Sequence, residues 1–162
     1  MHVHTPVSLL KRFRDVNGPN GRTEITCIAL SPNKRYVAMA ERGTERGIIT
    51  IFDVRTLKKR KTLSTPDCHS REYVSLCFSP DNKNLLTQGG GPDYALINWL
   101  WGKSKPLQIT RVESQGNPIT KCSFCPSDPS MVCVTGRSTL LYYHVEQGAV
   151  NLKAIETSMY GK

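Results

Sequence analysis

Tyr73-Val74-Ser75-Leu76-Cys77-Phe78-Ser79-Pro80-Asp81-Asn82-Lys83-Asn84-Leu85-Leu86-Thr87 is the stretch that decides the fold. Its first six residues alternate, placing Val74, Leu76 and Phe78 on one side of an extended chain, as expected of a half-buried strand. In Ser79-Pro80-Asp81-Asn82 the proline presets φ, and the Asp and Asn side chains can bond their own backbone, so the chain reverses into a second apolar run. Gly89-Gly90-Gly91-Pro92-Asp93 breaks that run and delivers Ala95 to Trp101 as a third strand. The reading is an antiparallel meander.

The same grammar occurs on both sides. Thr26 to Leu30 leads into Ser31-Pro32-Asn33-Lys34, then Tyr36 to Ala40, a Gly43 to Gly47 turn and Ile48 to Val54. Thr120 to Phe124 leads into Cys125-Pro126-Ser127-Asp128, then Met131 to Thr135, a Gly136 turn and Leu140 to Val145. The turns begin at 31, 79 and 125, giving spacings of 48 and 46 residues. Such a unit, with four strands and an aromatic closing the third, resembles the WD40 repeat of β-propellers, whose period is about 40 to 45 residues. The fold expected is all-β: about three WD40-type blades at residues 23–63, 64–111 and 112–155. Residues 1–22 would precede them, with Val7 to Phe13 as an outer strand left from an earlier blade, and 156–162 would form a tail. A propeller ring takes about 4 to 8 blades, so this one is expected to be incomplete.

The WD40 resemblance implies a polar network in the middle unit. Such blades carry a histidine before the first strand, a hydroxyl in the second, an Asp before the third and a Trp in it. The matching positions are His69, Thr87, Asp93 and Trp99. Linked in series they would satisfy one another inside the blade, where each unpaired group costs about 1 to 3 kcal/mol. Cys68 stands where a Gly would precede the histidine, and Leu100 where an Asp would follow the Trp. By strand alternation Trp101 falls on the same face as Trp99, which crowds a narrow blade and points one indole toward a neighbouring blade.

Against 13 acidic residues the chain has 22 Lys and Arg, a net charge of +9, which favours acidic partners without choosing among them. The densest point, Lys58-Lys59-Arg60-Lys61, lies in the outer strand expected of the first unit. Lysine there guards an edge against aggregation; the same run is a candidate docking patch. Of the six cysteines, Cys122 and Cys125 form a C-x-x-C with no second pair to complete a zinc site, and the repeat alignment puts Cys122 at an inward position. His2 and His4 lie in a terminus expected to fray. No metal, cofactor or small-molecule substrate is expected. The glycine run lacks the Lys-Ser/Thr of a phosphate loop, and His69, Asp93 and Thr87 are claimed by the network, so no enzyme is expected either. Without a signal-like start or a membrane-length apolar run, the chain is expected in a reducing cytoplasmic compartment, away from membranes.

A narrower resemblance rests on Ser31 to Ala38, Arg60-Lys61-Thr62-Leu63, Phe78 to Leu86, Asn98-Trp99-Leu100-Trp101 and Val132-Cys133-Val134-Thr135-Gly136, occurring in that order. Together they resemble part of the first propeller of the WD-repeat family of cilia- and flagella-associated protein 57. That resemblance implies a non-catalytic scaffold of the ciliary or flagellar axoneme, tied to inner dynein arm docking or regulation on doublet microtubules. The partners it implies are inner dynein arm or regulatory complex subunits, the tubulin surface, or the remaining blades of the propeller. The alternative is a cytoplasmic WD40 adaptor in an RNA- or translation-associated complex; the aromatics are not interleaved with Arg or Lys as direct nucleic-acid binding would require.

Overall fold

A computed structural model describes residues 24–114 and 116–147, together with the backbone of 153–155. The expected segments at 1–22 and 156–162, His2 and His4 among them, lie outside these residues. Three antiparallel four-stranded sheets follow one another along the chain, each in simple sequence order. The first contains β1 (Ile25–Leu30), β2 (Tyr36–Glu41), β3 (Ile48–Asp53) and β4 (Lys59–Leu63). The second contains β5 (Tyr73–Phe78), β6 (Asn84–Gly89), β7 (Ala95–Leu100) and β8 (Lys105–Arg111). The third contains β9 (Ile119–Phe124), β10 (Met131–Gly136), β11 (Leu140–His144) and β12 (Lys153–Ile155). The arrangement is that of successive propeller blades, and the described blades do not close a ring.

The turns that reverse the first two blades are copies of one another. Ser31 and Ser79 each accept a main-chain N–H through the hydroxyl, from Tyr36 and Asn84 respectively, both at 2.9 Å. The same hydroxyls donate to Asn33 Oδ1 and Asp81 Oδ1 at 2.6 Å, and those oxygens accept the N–H of Arg35 and Lys83 at 3.0 Å. Lys34 and Asn82 occupy the left-handed position, with φ of 58° and 63°. Asn and Asp support such a turn by local side-chain bonding.

Strict alternation fails in the first strand of every blade. The register slips between Ile25 and Cys27, between Tyr73 and Ser75, and between Thr135 and Gly136 opposite Lys121 and Ile119. Thr26, Val74 and Thr120 are therefore the extra residues of three equivalent bulges. A bulge resets which side chains face inward. Val74 consequently does not share a face with Leu76 and Phe78: Tyr73 is buried with them, and Val74 is half-exposed. The third strand of the middle blade also ends earlier than alternation predicts, because Trp101–Lys103 forms a 3-10 turn.

Apolar burial lies mainly between blades. Ala38, Ala40, Ile49 and Ile51 of the first blade pack with Leu76, Phe78, Leu85 and Trp99 of the second. Leu86 and Leu96 on the opposite face of the second blade pack with Phe124, Val132 and Val134 of the third. The middle blade is thus apolar on both faces, as its nearly continuous burial along β6 and β7 requires. The outer face of the first blade gathers Val37, Met39 and Phe52 into a smaller cluster, and every residue of β1 is at least partly exposed.

Candidate functional site

The four residues expected to form one network form two separate pairs. Trp99 is fully buried, and its Nε1–H donates to Thr87 Oγ1 at 3.0 Å. Thr87, also fully buried, directs its own hydroxyl to the Ile97 carbonyl at 3.5 Å. Asp93 belongs to the connector instead: Oδ2 accepts the main-chain N–H of His69 at 2.8 Å, and Oδ1 accepts the Ser70 hydroxyl. The His69 imidazole is exposed and meets neither Thr87 nor Trp99 through any hydrogen bond. Ser70 takes the inward place that His69 was expected to fill.

The reason is spatial. Ser70 is fully buried against Gly89, where even a single added carbon would come within 2.6 Å of the serine hydroxyl. Gly89 makes room for the serine by carrying no side chain. The connector is held in that register from the other side, since Gly47 N–H donates to the Ser70 carbonyl at 2.9 Å and Gly43 N–H to that of Arg71 at 3.0 Å. The sequence signal was the missing glycine: with Cys68 buried ahead of it, the inward position falls one residue late.

A second polar system was not foreseen. Asn84 donates to Asn98 Oδ1 at 3.1 Å, Asn98 donates to Gln108 Oε1 at 2.8 Å, and Gln108 reaches the Glu146 carbonyl of the third blade at 3.3 Å. Register pairs Leu86 with Asn98 and Asn98 with Gln108, so the ladder crosses β6 to β8 on one face. Each amide supplies both a donor and an acceptor, which allows the chain to continue across strands.

Lys58, Lys59 and Arg60 are exposed and Lys61 is half-buried. They occupy β4 and the turn before it, and among the described residues β4 pairs with β3 alone. Ile51 opposes Lys61 and Phe52 opposes Lys59, leaving Arg60 as the extra residue of a bulge. The outer strand of the second blade slips at the corresponding place, between Asn98 and Trp99. Charge and bulge together blunt these edges against strand addition. The nearby carboxylate, Asp53, is committed elsewhere: its Oδ1 accepts the N–H of Arg55 and Thr56, and its Oδ2 lies 3.6 Å from Arg35.

Reactive groups do not converge. Among the described residues no three His, Cys, Asp or Glu side chains come together as a metal site. Cys122 is buried with its sulfur toward the carbonyls of Ser75 and Leu86, and burial raises its pKa well above the ordinary thiol value. Burial pushes Cys27 up to about 12. Cys125 differs, lying in a turn where the Ser127 hydroxyl, 3.3 Å away, lowers its pKa. Thr87 is sealed from solvent and Asp93 is occupied by the connector, so His69, Asp93 and Thr87 do not form a nucleophile with its base.

No family model matches the chain. Cilia- and flagella-associated protein 57 of Mus musculus is 35% identical over 150 residues, covering 90% of this chain and 12% of that protein. Cilia- and flagella-associated protein 57 C of Tetrahymena thermophila is 34% identical over 140 residues, covering 81% of this chain and 11% of that protein. The chain therefore spans about an eighth or less of the curated relatives it matches. Among solved structures, the Cps50 (Swd1) β-propeller domain of Myceliophteria thermophila superposes with a TM-score of 0.64 at 16% identity, covering 83% of this chain and 41% of that one.

Proposed function

We propose that this run of WD40-type blades, similar over 90% of its length to cilia- and flagella-associated protein 57, is a non-catalytic docking module of the ciliary or flagellar axoneme. Its place there is beside the inner dynein arms on doublet microtubules, in contact with arm or regulatory subunits or with the tubulin surface. The observation that carries the reading is the cationic run Lys58-Lys59-Arg60-Lys61, exposed at its first three residues, on the outer strand of a blade, with no cluster of metal-binding side chains among the described residues. Rigid sheets presenting exposed charge suit adhesion to an acidic polymer.

The test is co-sedimentation of the chain with demembranated axonemes, before and after nuclease treatment. Retention after nuclease, with release as salt is raised, is the expected result. Loss of binding on nuclease treatment would instead favour the RNA-associated adaptor, whose affinity should fall steeply with salt through counterion release.

A further inference from the structure

The basic run on β4 is one part of a larger cationic face that sequence order conceals. In an antiparallel meander, the turn joining the first two strands and the turn joining the last two lie at the same end of the sheet. In the first blade these turns carry Lys34, Arg35 and Lys58, and in the second they carry Lys83 and Lys103, all exposed. The two ends are locked side by side. Asn33 N–H donates to Asn82 Oδ1 across the blade boundary at 3.0 Å, and Trp101 stands edge-on to Tyr36 with centroids 4.8 Å apart.

The acidic residues at this end are tied into their own turns, Asp53 buried and Asp81 exposed. Asp53 caps its own turn and faces Arg35, and Asp81 accepts the Ser79 hydroxyl and the Lys83 N–H. At the opposite end of the same blades, Arg42 pairs with both Glu24 and Glu72, so this cation is neutralised. The third blade does not extend the face, because the equivalent of the Ser-Pro-Asn-Lys turn is Cys125-Pro126-Ser127-Asp128. The cationic surface is therefore bounded to two blades and one end.

We infer that this turn face of the first two blades binds a carboxylate-rich polypeptide segment. Three observations favour carboxylates over a nucleic acid. Most of the free cations are lysines, compact hydrated charges without the planar fork that engages phosphate in a bidentate manner. Arg35 is engaged by Asp53 and by the Tyr36 ring, 5.2 Å from its guanidinium carbon. The aromatics nearest the face, Tyr36 and Trp101, pack edge-on against each other, and Trp101 is buried, leaving no platform on which bases stack. The inference rests on reading the chain as a docking module and specifies the chemistry that it docks.

The probe is a fluorescent ten-residue polyglutamate peptide, with single-stranded RNA of equal charge alongside, titrated into the 162-residue chain at low salt. The double variant Lys58→Glu/Lys103→Glu should weaken polyglutamate binding about tenfold or more, because two attractive charges become repulsive at short range. The control Lys121→Glu/Arg137→Glu makes the same change in net charge at exposed sites on the third blade and should alter affinity less than about twofold. Equal losses in the two variants would reduce the effect to net charge and overturn the inference, as would tighter binding of RNA through the same face. Polyglutamate binding that depends on this face in a chain that ignores axonemes would defeat only the axonemal placement. Axoneme binding that survives Lys58→Glu/Lys103→Glu would defeat only the present inference.

Discussion

Trp101 stands edge-on to Tyr36, ring centroids 4.8 Å and planes 62° apart, and thereby joins the second blade to the first. Its other edge meets Phe78 at 6.1 Å, and its Nε1–H donates to the Asn82 carbonyl at 2.8 Å. Both tryptophans of the blade therefore have hydrogen-bond acceptors. They differ in the burial of the acceptor. Trp99→Phe strands a fully buried hydroxyl and should cost about 1 to 3 kcal/mol; Trp101→Phe leaves a carbonyl on a half-exposed turn residue and should cost about 1 kcal/mol or less. Urea denaturation of both variants checks the order, and equal costs would refute it.

His69 and Ser70 give an opposite pair. His69→Ala removes an exposed ring and keeps the main-chain N–H to Asp93, so stability should stay within about 0.5 kcal/mol. Ser70→Ala removes a buried hydroxyl from Asp93 and the Gly90 carbonyl, with an expected loss of about 1 to 3 kcal/mol. A larger loss from His69→Ala than from Ser70→Ala, by chemical denaturation, would restore histidine to the network.

The amide ladder should show coupling. Asn98→Leu leaves Asn84 and Gln108 without their shared partner and should cost about 1 to 3 kcal/mol. Adding Gln108→Leu should cost less than the sum of the two single substitutions, since the second removes a group already stranded. Strict additivity in a double-mutant cycle would show that the ladder contributes nothing as a unit.

Acid should weaken the first blade through Asp53. The Thr56 N–H, the Arg55 N–H and the charge of Arg35 hold its carboxyl below the ordinary value, against the opposing effect of burial. A depressed carboxyl contributes stability that is fully present above its unfolded pKa, about 3.9, and is lost as pH falls through the folded value. Asp53→Asn keeps an oxygen for both N–H groups but cannot titrate. Melting temperature followed from about pH 5 downward should therefore fall less steeply in Asp53→Asn than in the parent; parallel curves would remove Asp53 from the acid response.

Thiol chemistry should single out Cys125. It has a lowered pKa in an accessible turn, whereas burial raises Cys27 and Cys122. Reaction of the native chain with a small disulfide reagent should show a fast phase that Cys125→Ser abolishes, because thiolate fraction and access set the rate. A fast phase unaffected by that substitution would place the reactive thiol elsewhere.

What the sequence determined by itself is the part of the architecture governed by neighbours along the chain. The first strands, at Ile25–Leu30, Tyr73–Phe78 and Ile119–Phe124, follow from alternation, and the reversals at Ser31 and Ser79 follow from side chains that bond within five residues. The Trp99–Thr87 pair was equally legible, since the two lie diagonally on adjacent strands of one hairpin. Tertiary structure decided the rest. Bulges at Thr26, Val74 and Thr120 changed which residues face inward, and the hydrogen bonds of the connector to Asp93, Gly47 and Gly43 set Ser70 rather than His69 inside. The shared turn end of the first two blades, which carries Lys58 on one and Lys103 on the other, arises only when the blades pack, as the bond between Asn33 and Asn82, 49 positions apart, shows. Local propensity acts over a few residues, whereas packing acts on volume and on unpaired polar groups, which have no address in the sequence until the sheets meet.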